Sequence, residues 1–148
     1  MTWTKLLGSH DVQRHRTSKK ELDDIRALVA RDVADATVVG LSADRRFATA
    51  YNAALLAANM AIACASYRVT AKTGHHKISF DSIKLALGAG ADKYAGYFET
   101  CRRKRNVIDY TRSHVATETE AKEIVEKATE FYEFVEEWID SKFPNLKR

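Results

Sequence analysis

Apolar side chains recur every three to four residues along most of the chain, which is the period of an amphipathic α-helix. The first predicted helix starts at a cap formed by Thr17 or Ser18 and ends before the break at Gly40. Its apolar stripe consists of Leu22, Ile25, Leu28, Val29 and Val33. The preceding residues, 1–17, are polar and basic without a period, and they are predicted to form a flexible arm.

The second predicted helix runs from about Ala43 to Thr70, with Ser42 as its cap. Alanine dominates this segment, and such small side chains allow neighbouring helices to approach closely. A long part of the segment carries no charge, so a membrane span has to be considered. Alanine adds little to membrane insertion, however, and the amides of Asn52 and Asn59 oppose it. The pattern therefore favours the buried central helix of a soluble bundle without membrane contact.

The second half of the chain predicts three further helices. A loop over residues 71–80 leads into a short helix that ends at two glycines, and a fourth helix begins near Asp92. The last helix starts at Thr117, which forms a capping-box pattern with Glu120. No strand is predicted.

The fold class that follows is all-α: an antiparallel up-and-down bundle of four to five helices. It forms a single domain over residues 18–142, and residues 143–148 are a tail. Composition agrees, because six glycines and one proline in 148 residues leave little material for tight turns.

The two cysteines, Cys64 and Cys101, lie far apart in apolar helical segments. We expect both to be reduced and buried, with no disulfide and no metal ligation. This expectation fits a cytoplasmic protein, as does the lack of a signal-peptide-like apolar stretch at the N-terminus. The sequence indicates neither a cofactor nor a metal site.

Charge is distributed unevenly along the chain. Residues 117–140 carry nine acidic and two basic side chains, so the remainder is strongly basic although the formal net charge is only +4. Such segregation indicates either an anionic ligand on the basic part or an acidic helix that meets a basic partner.

The basic part includes "CRRKRNVIDYTRSH", residues 101–114, in which four consecutive cations precede an Asn, an Asp, a Tyr and a His. On a helical wheel Arg105 falls inside the apolar stripe, about 40° from Cys101. A guanidinium stays charged, so at such a position it needs a carboxylate, backbone carbonyls or a bound anion. Asp109, one turn later, offers an internal ion pair. The alternative is that Arg105 is held in a groove for a phosphate.

The chain resembles the HEPN domain over about residues 20–142. The landmarks of this resemblance are "AYNAALLAANMAIACASYRV", "GHHKISFDSIKLAL", "RKRNVIDY" and the acidic ending "EAKEIVEKATEFYEFVEEWI". The resemblance implies an all-helical bundle of the kind found in prokaryotic toxin–antitoxin and defence systems. It also implies a dimer in which two motifs meet in a cleft and cut RNA without metal, an Arg engaging phosphate and a His moving protons.

One position departs from the motif of that family. The motif's Arg maps to Arg105 and its polar residue to Asn106, but its His position holds Tyr110. A proton-transfer group works best when its pKa lies near the working pH, and that of Tyr is about 10 against about 6.5 for His. The resemblance therefore implies that Tyr110 is a poor general base, able instead to donate a hydrogen bond or stack on a nucleobase.

Three histidines are candidates for the missing role. His114 lies beyond the motif and points away from Arg105 within one helix, so only a dimer or a bent helix end brings the two together. His75 and His76, in the predicted loop, either support the site or serve the loop itself. Arg68, at the exit of the long predicted helix, is either a partner of the helix dipole or a supporting residue.

Three functions stay open at this point. In the first, a HEPN-like homodimer binds RNA or nucleotide with weak or absent ribonuclease activity, through Arg102, Arg103, Lys104, Arg105 and Asn106. In the second, the bundle is an interaction module that pairs with a nucleotidyltransferase-type antitoxin or a defence component. In the third, the protein is an active, metal-independent endoribonuclease toxin.

Overall fold

The computed structural model of the protein describes residues 1–110 and 113–148, and for residues 109 and 110 it describes the backbone alone. In chain order the elements are α1 (Trp3–Gly8), β1 (Val12–Arg14), α2 (Lys19–Asp35), α3 (Ala43–Cys64), β2 (Tyr67–Val69), α4 (His75–Leu87), α5 (Asp92–Tyr110) and α6 (Glu118–Lys142). Short 3₁₀ turns precede α5 and follow α6. The predicted all-α helical bundle is confirmed.

The central element of the bundle is α3, which contacts α2, α4, α5 and α6. Its alanines at positions 54, 57, 58 and 61 are completely buried. The helix is long and apolar enough to cross a membrane, but 72% of its most apolar window is buried inside the protein. This degree of burial is that of a core helix packed against protein on several sides.

Side-chain caps fix where three of the helices begin. Ser18 and Ser42 each accept a hydrogen bond at 3.1 Å from the backbone amide three residues later. Thr117 and Glu120 form a complete capping box, in which each side chain accepts from the other residue's amide. The caps predicted for these helices are confirmed, and Ser18 rather than Thr17 is the cap of α2.

The first 17 residues differ from the predicted flexible arm. They form α1 and β1, and β1 pairs antiparallel with β2, with Val12 opposite Val69. Leu6 and Val12 are buried, being only 5% and 2% exposed. The prediction that no strand forms was wrong because a three-residue strand has too few positions to show a period, and its partner lies far along the chain.

Two predicted helix boundaries were also wrong. α3 ends at Cys64 rather than Thr70, because Ser66 has a φ of +76° and the residues after it pair in β2. α4 begins at His75, so His75 and His76 lie in the first helical turn and not in a loop. The sheet pairing of residues 67–69 therefore shortens α3.

A buried ion pair ties α2 to α6 and to the end of the chain. Arg26 Nε and Nη2 donate to the two carboxylate oxygens of Glu136 at 2.9 and 3.0 Å, and the two residues are 8% and 0% exposed. Arg26 Nη2 also donates to the carbonyl of Leu146 at 2.8 Å. Residues 144–146, predicted as part of a tail, are therefore anchored on the bundle.

Replacing Glu136 with Ala is expected to destabilise the fold by about 3 kcal/mol, because the change removes the buried carboxylate of the pair and leaves the more exposed Asp23, 2.8 Å from Arg26 Nη1, as the remaining carboxylate partner. Urea unfolding followed by circular dichroism measures the effect. The matched control is Glu137→Ala, one residue further along α6 and exposed, for which the free energy of unfolding should change by less than about 0.5 kcal/mol. Equal effects of the two substitutions would contradict this role of the pair.

Candidate functional site

A surface cavity of about 350 Å³ lies where the first turn of α4 meets the second half of α5. Its lining residues are Thr73, Gly74, His75, His76, Lys77, Arg102, Arg105 and Asn106. The fold therefore brings Arg102, Arg105 and Asn106 together with His75 and His76, which lie about 30 positions earlier in the chain. Two groups of candidate residues thus share one cavity.

Helical geometry divides the run of four cations on α5. Arg102, Arg105 and Asn106 stand at positions i, i+3 and i+4, so they share the face that lines the cavity. The side chain of Arg103 is 76% exposed. Lys104 forms an ion pair with Glu120 of α6. Of the four cations predicted to bind phosphate, Arg102 and Arg105 line the cavity, and Arg103 and Lys104 lie outside it.

The guanidinium of Arg105 lies 5.6 Å from the centroid of the Tyr51 ring, over the face of this aromatic side chain. Tyr51 belongs to α3 and is completely buried, so the ring is a fixed platform for the cation. Arg105 itself is half-buried, and its Nε atom is shielded from solvent. A guanidinium over an aromatic face gains a cation–π interaction, which holds the charge at the cavity wall.

Arg102 is oriented by a carboxylate on its own helix. Its Nε and Nη2 atoms each donate a hydrogen bond of 2.9 Å to Glu99, one turn earlier. These hydrogen bonds hold the pKa of the Glu99 carboxyl below its ordinary value. The pair uses the edge of the guanidinium formed by Nε and Nη2, and the Nη1 group takes no part in it.

The start of α4 contributes backbone donors to the same cavity. Gly74, at the N-cap, has a φ of +84°, which glycine adopts without steric cost, and no side chain caps the helix. The amide of His75 donates to the carbonyl of Lys72 at 3.1 Å. The next amides of the first turn have no partner within the helix, and the helix dipole places partial positive charge there. Together with Arg102 and Arg105 these donors form a cationic, hydrogen-bonding surface suited to a phosphate or another anion.

His76 lies between these positive groups and the core. Its Nδ1 atom is 3.3 Å from the hydroxyl of Tyr51. Burial, and then the neighbouring charges of His75, Arg105 and Arg102, lower the pKa of His76 to about 4. The imidazole is therefore neutral at pH 7. Burial raises the pKa of the Tyr51 hydroxyl, so this group is protonated as well.

The remaining predicted residues lie elsewhere. His114 is exposed, has a φ of +58° in the segment that connects α5 and α6, and does not line the cavity. Arg68 lies on β2 and lines a different cavity. The side chains of Asp109 and Tyr110 fall outside the described residues. Within the described parts of the chain, no three His, Cys, Asp or Glu side chains are grouped so as to hold a metal ion.

Sequence reasoning missed two features of the cavity. The apolar pattern predicts only a core position for Tyr51. In the structure its ring also contacts the guanidinium of Arg105, and its hydroxyl approaches His76. The same pattern places Gly74 in a loop, although this residue starts α4 and leaves the helix end uncapped. The available signal in the sequence was the glycine directly before two histidines, because glycine is one of the residues that commonly occupy the N-cap of a helix. At that position it supplies no capping side chain.

Fold and cavity together define a class of protein: an all-α bundle with a cationic cavity between two of its helices. The model of the SAV_6107-like HEPN family matches residues 38–136, and the chain belongs to this HEPN family. The resemblance seen in the sequence is thereby confirmed. The family is one of RNA-related or nucleotide-binding helical domains. No curated protein matches the chain, and no solved structure matches it.

The Arg105→Ala substitution is expected to raise the pKa of His76 from about 4 towards the ordinary value of 6.5, because it removes a nearby positive charge. An NMR titration of the imidazole resonances measures this shift. Arg103→Ala removes an equal charge from the neighbouring exposed position and should leave the His76 titration unchanged. A titration of His76 near pH 6.5 in the unaltered protein would contradict the buried, cationic environment of this imidazole.

Proposed function

We propose that the protein binds RNA or nucleotide phosphates in the cavity between α4 and α5, as a homodimer in the cytoplasm. The observation that carries this proposal is the convergence of two guanidinium groups and an uncapped helix start on one cavity. Arg105 and Asn106 occupy the positions of the HEPN motif's Arg and polar residue, and the matched range includes both. The free thiols of Cys64 and Cys101, both buried, are compatible with a reducing compartment.

We further propose that ribonuclease activity is weak or absent. Tyr110 stands at the motif position where His moves protons, and a phenol is a poor base at neutral pH. His76 is an imidazole within the cavity, but its pKa of about 4 makes it a weak base as well. Binding without efficient turnover is the function that this combination of groups supports best.

Arg105→Ala is expected to weaken the binding of a fluorescently labelled single-stranded RNA by about 10- to 100-fold, since a hydrogen bond to a charged group contributes about 1.5–3 kcal/mol. Fluorescence anisotropy at low salt measures the affinity. The matched control is Arg103→Ala, which removes the same charge from an exposed position. Its affinity should fall much less than that of Arg105→Ala.

Salt dependence distinguishes a phosphate contact from a general effect of charge. The slope of log K against log salt should fall in magnitude by about 0.7 for each phosphate of a single strand that the protein no longer neutralises. Arg105→Ala is expected to show this fall. The proposal is overturned if the RNA is not retained at low salt, or if Arg105→Ala and Arg103→Ala reduce affinity equally.

The proposed homodimer predicts a particle of twice the mass of the single chain. Sedimentation velocity or light scattering coupled to size exclusion measures this mass at micromolar protein concentration. The Arg105→Ala variant serves as the control, since its fold should be intact and its mass shows whether the cationic side chain is needed for assembly. A single-chain mass across the concentration range would remove the dimer from the proposal and leave the cavity to act within one chain.

A further inference from the structure

A second cavity, of about 320 Å³, opens beside the start of α4, between α2, α3 and β2. His75 lines both this cavity and the anion-binding cavity between α4 and α5. The two cavities therefore adjoin at a single residue, while His76 and Lys77 belong to the anion-binding cavity and Ser79 to the second. A volume of about 300 Å³ or more is typical of sites for small organic ligands.

One wall of the second cavity presents an amide group. Asn59, on α3, accepts a hydrogen bond of 3.1 Å from the Ser79 hydroxyl through its Oδ1 atom. With Oδ1 turned towards Ser79, the Nδ2 group is the part left for a ligand. Within the described residues no hydrogen bond uses Nδ2 as its donor. An acceptor atom on a ligand would satisfy it.

A second polar group in the cavity lining is a carboxylate. Glu21, in the first turn of α2, accepts hydrogen bonds on Oε1 from His15 Nε2 at 2.7 Å and from the Thr17 hydroxyl at 2.9 Å. The hydrogen bond from His15 is the main reason that the pKa of Glu21 lies below its ordinary value, and the carboxylate is therefore ionised at pH 7. Its Oε2 atom is left to accept from a ligand. Arg68 contributes positive charge nearby.

Several of the other lining residues are apolar. Ile25 comes from α2, Ile62 and Ala63 from α3, and Val69 from β2. Such side chains suit the faces of a flat ring, while the Asn59 donor and the Glu21 acceptor select among the polar groups at its edge. A ligand that fits has an aromatic body, a carbonyl that can accept from Asn59 and an N–H that can donate to Glu21.

We infer that this second cavity is a nucleobase-binding site that selects a base with a ring N–H beside a carbonyl, namely guanine or uracil. Adenine has no carbonyl, and neutral cytosine has no ring N–H on its pairing edge. The inference deepens the proposed function, and it rests on that proposal for the position of the phosphate. A nucleotide whose base occupies this cavity directs its phosphate past His75 towards Arg102 and Arg105.

Nucleosides test the base site without any phosphate. Isothermal titration of the full chain with guanosine, uridine, adenosine and cytidine should show that the first two bind at least about 10-fold more tightly, the value of one hydrogen bond. Asn59→Leu should weaken guanosine binding by about the same factor. Without the Asn59 amide, the single hydrogen of the Ser79 hydroxyl donates to the carbonyl of His75, which lies 3.1 Å away, so this variant is expected to fold.

The matched control is Asn52→Leu, the same change two turns earlier on α3 at a position that does not line the cavity. It should leave guanosine binding unchanged. Glu21→Gln is a second variant of nearly the same shape. It should also weaken guanosine binding, because the ionised acceptor becomes a neutral amide. Circular dichroism of each variant confirms that the helices are retained.

The outcomes separate this inference from the proposed function. If RNA binding depends on Arg105 but the four nucleosides bind equally or not at all, the base site is overturned and the phosphate site stands. If Asn59→Leu and Asn52→Leu have the same effect on guanosine binding, the base site is overturned as well. Guanosine binding that needs Asn59, in a protein whose RNA binding ignores Arg105, supports the base site and overturns the proposed phosphate site.

Discussion

The tight packing of alanine side chains on α3 is the constraint on which the other helices and both cavities depend. Alanine has the highest helix propensity and loses no side-chain entropy, so a long alanine-rich segment is helical and can be closely approached. Because α3 is covered by α2, α4, α5 and α6, the positions of these helices are fixed relative to one another. Two of the polar side chains that stand among the alanines take part in the cavities. Tyr51 supports Arg105 beside the cavity between α4 and α5, and Asn59 lines the second cavity.

Much of the charge segregation in the sequence is resolved within the chain. The acidic last helix supplies Glu120 to Lys104 of α5 and Glu136 to the buried Arg26 of α2. The basic partner that an acidic helix needs is thus at least partly this protein's own fold. What is left on the cavity face is a smaller set of cations, held by an aromatic ring or by a carboxylate on the same helix. A preorganised pair of this kind binds an anion with less loss of side-chain entropy than a flexible basic run.

The same positive groups that suit the cavity for an anion oppose proton transfer by its histidine. Burial and the two guanidinium groups favour the neutral form of His76, and the lowered pKa is the measure of their effect. A bound phosphate would partly cancel the field of the guanidinium groups and bring the imidazole closer to its ordinary pKa. The electrostatics of the cavity therefore favour binding, and any chemistry would depend on the bound ligand to restore a useful base.

The sequence by itself determined the helical class, the family and the helix starts at Ser18, Ser42 and Thr117, because periodicity, composition and capping are local properties. It also placed Arg105 inside the apolar stripe of its helix. The β1–β2 pairing, the early end of α3 and the start of α4 at His75 were decided only by the tertiary structure, since each depends on contacts between distant segments. The cavities have the same origin: side chains from separate helices meet in them, and no local pattern encodes which helices become neighbours.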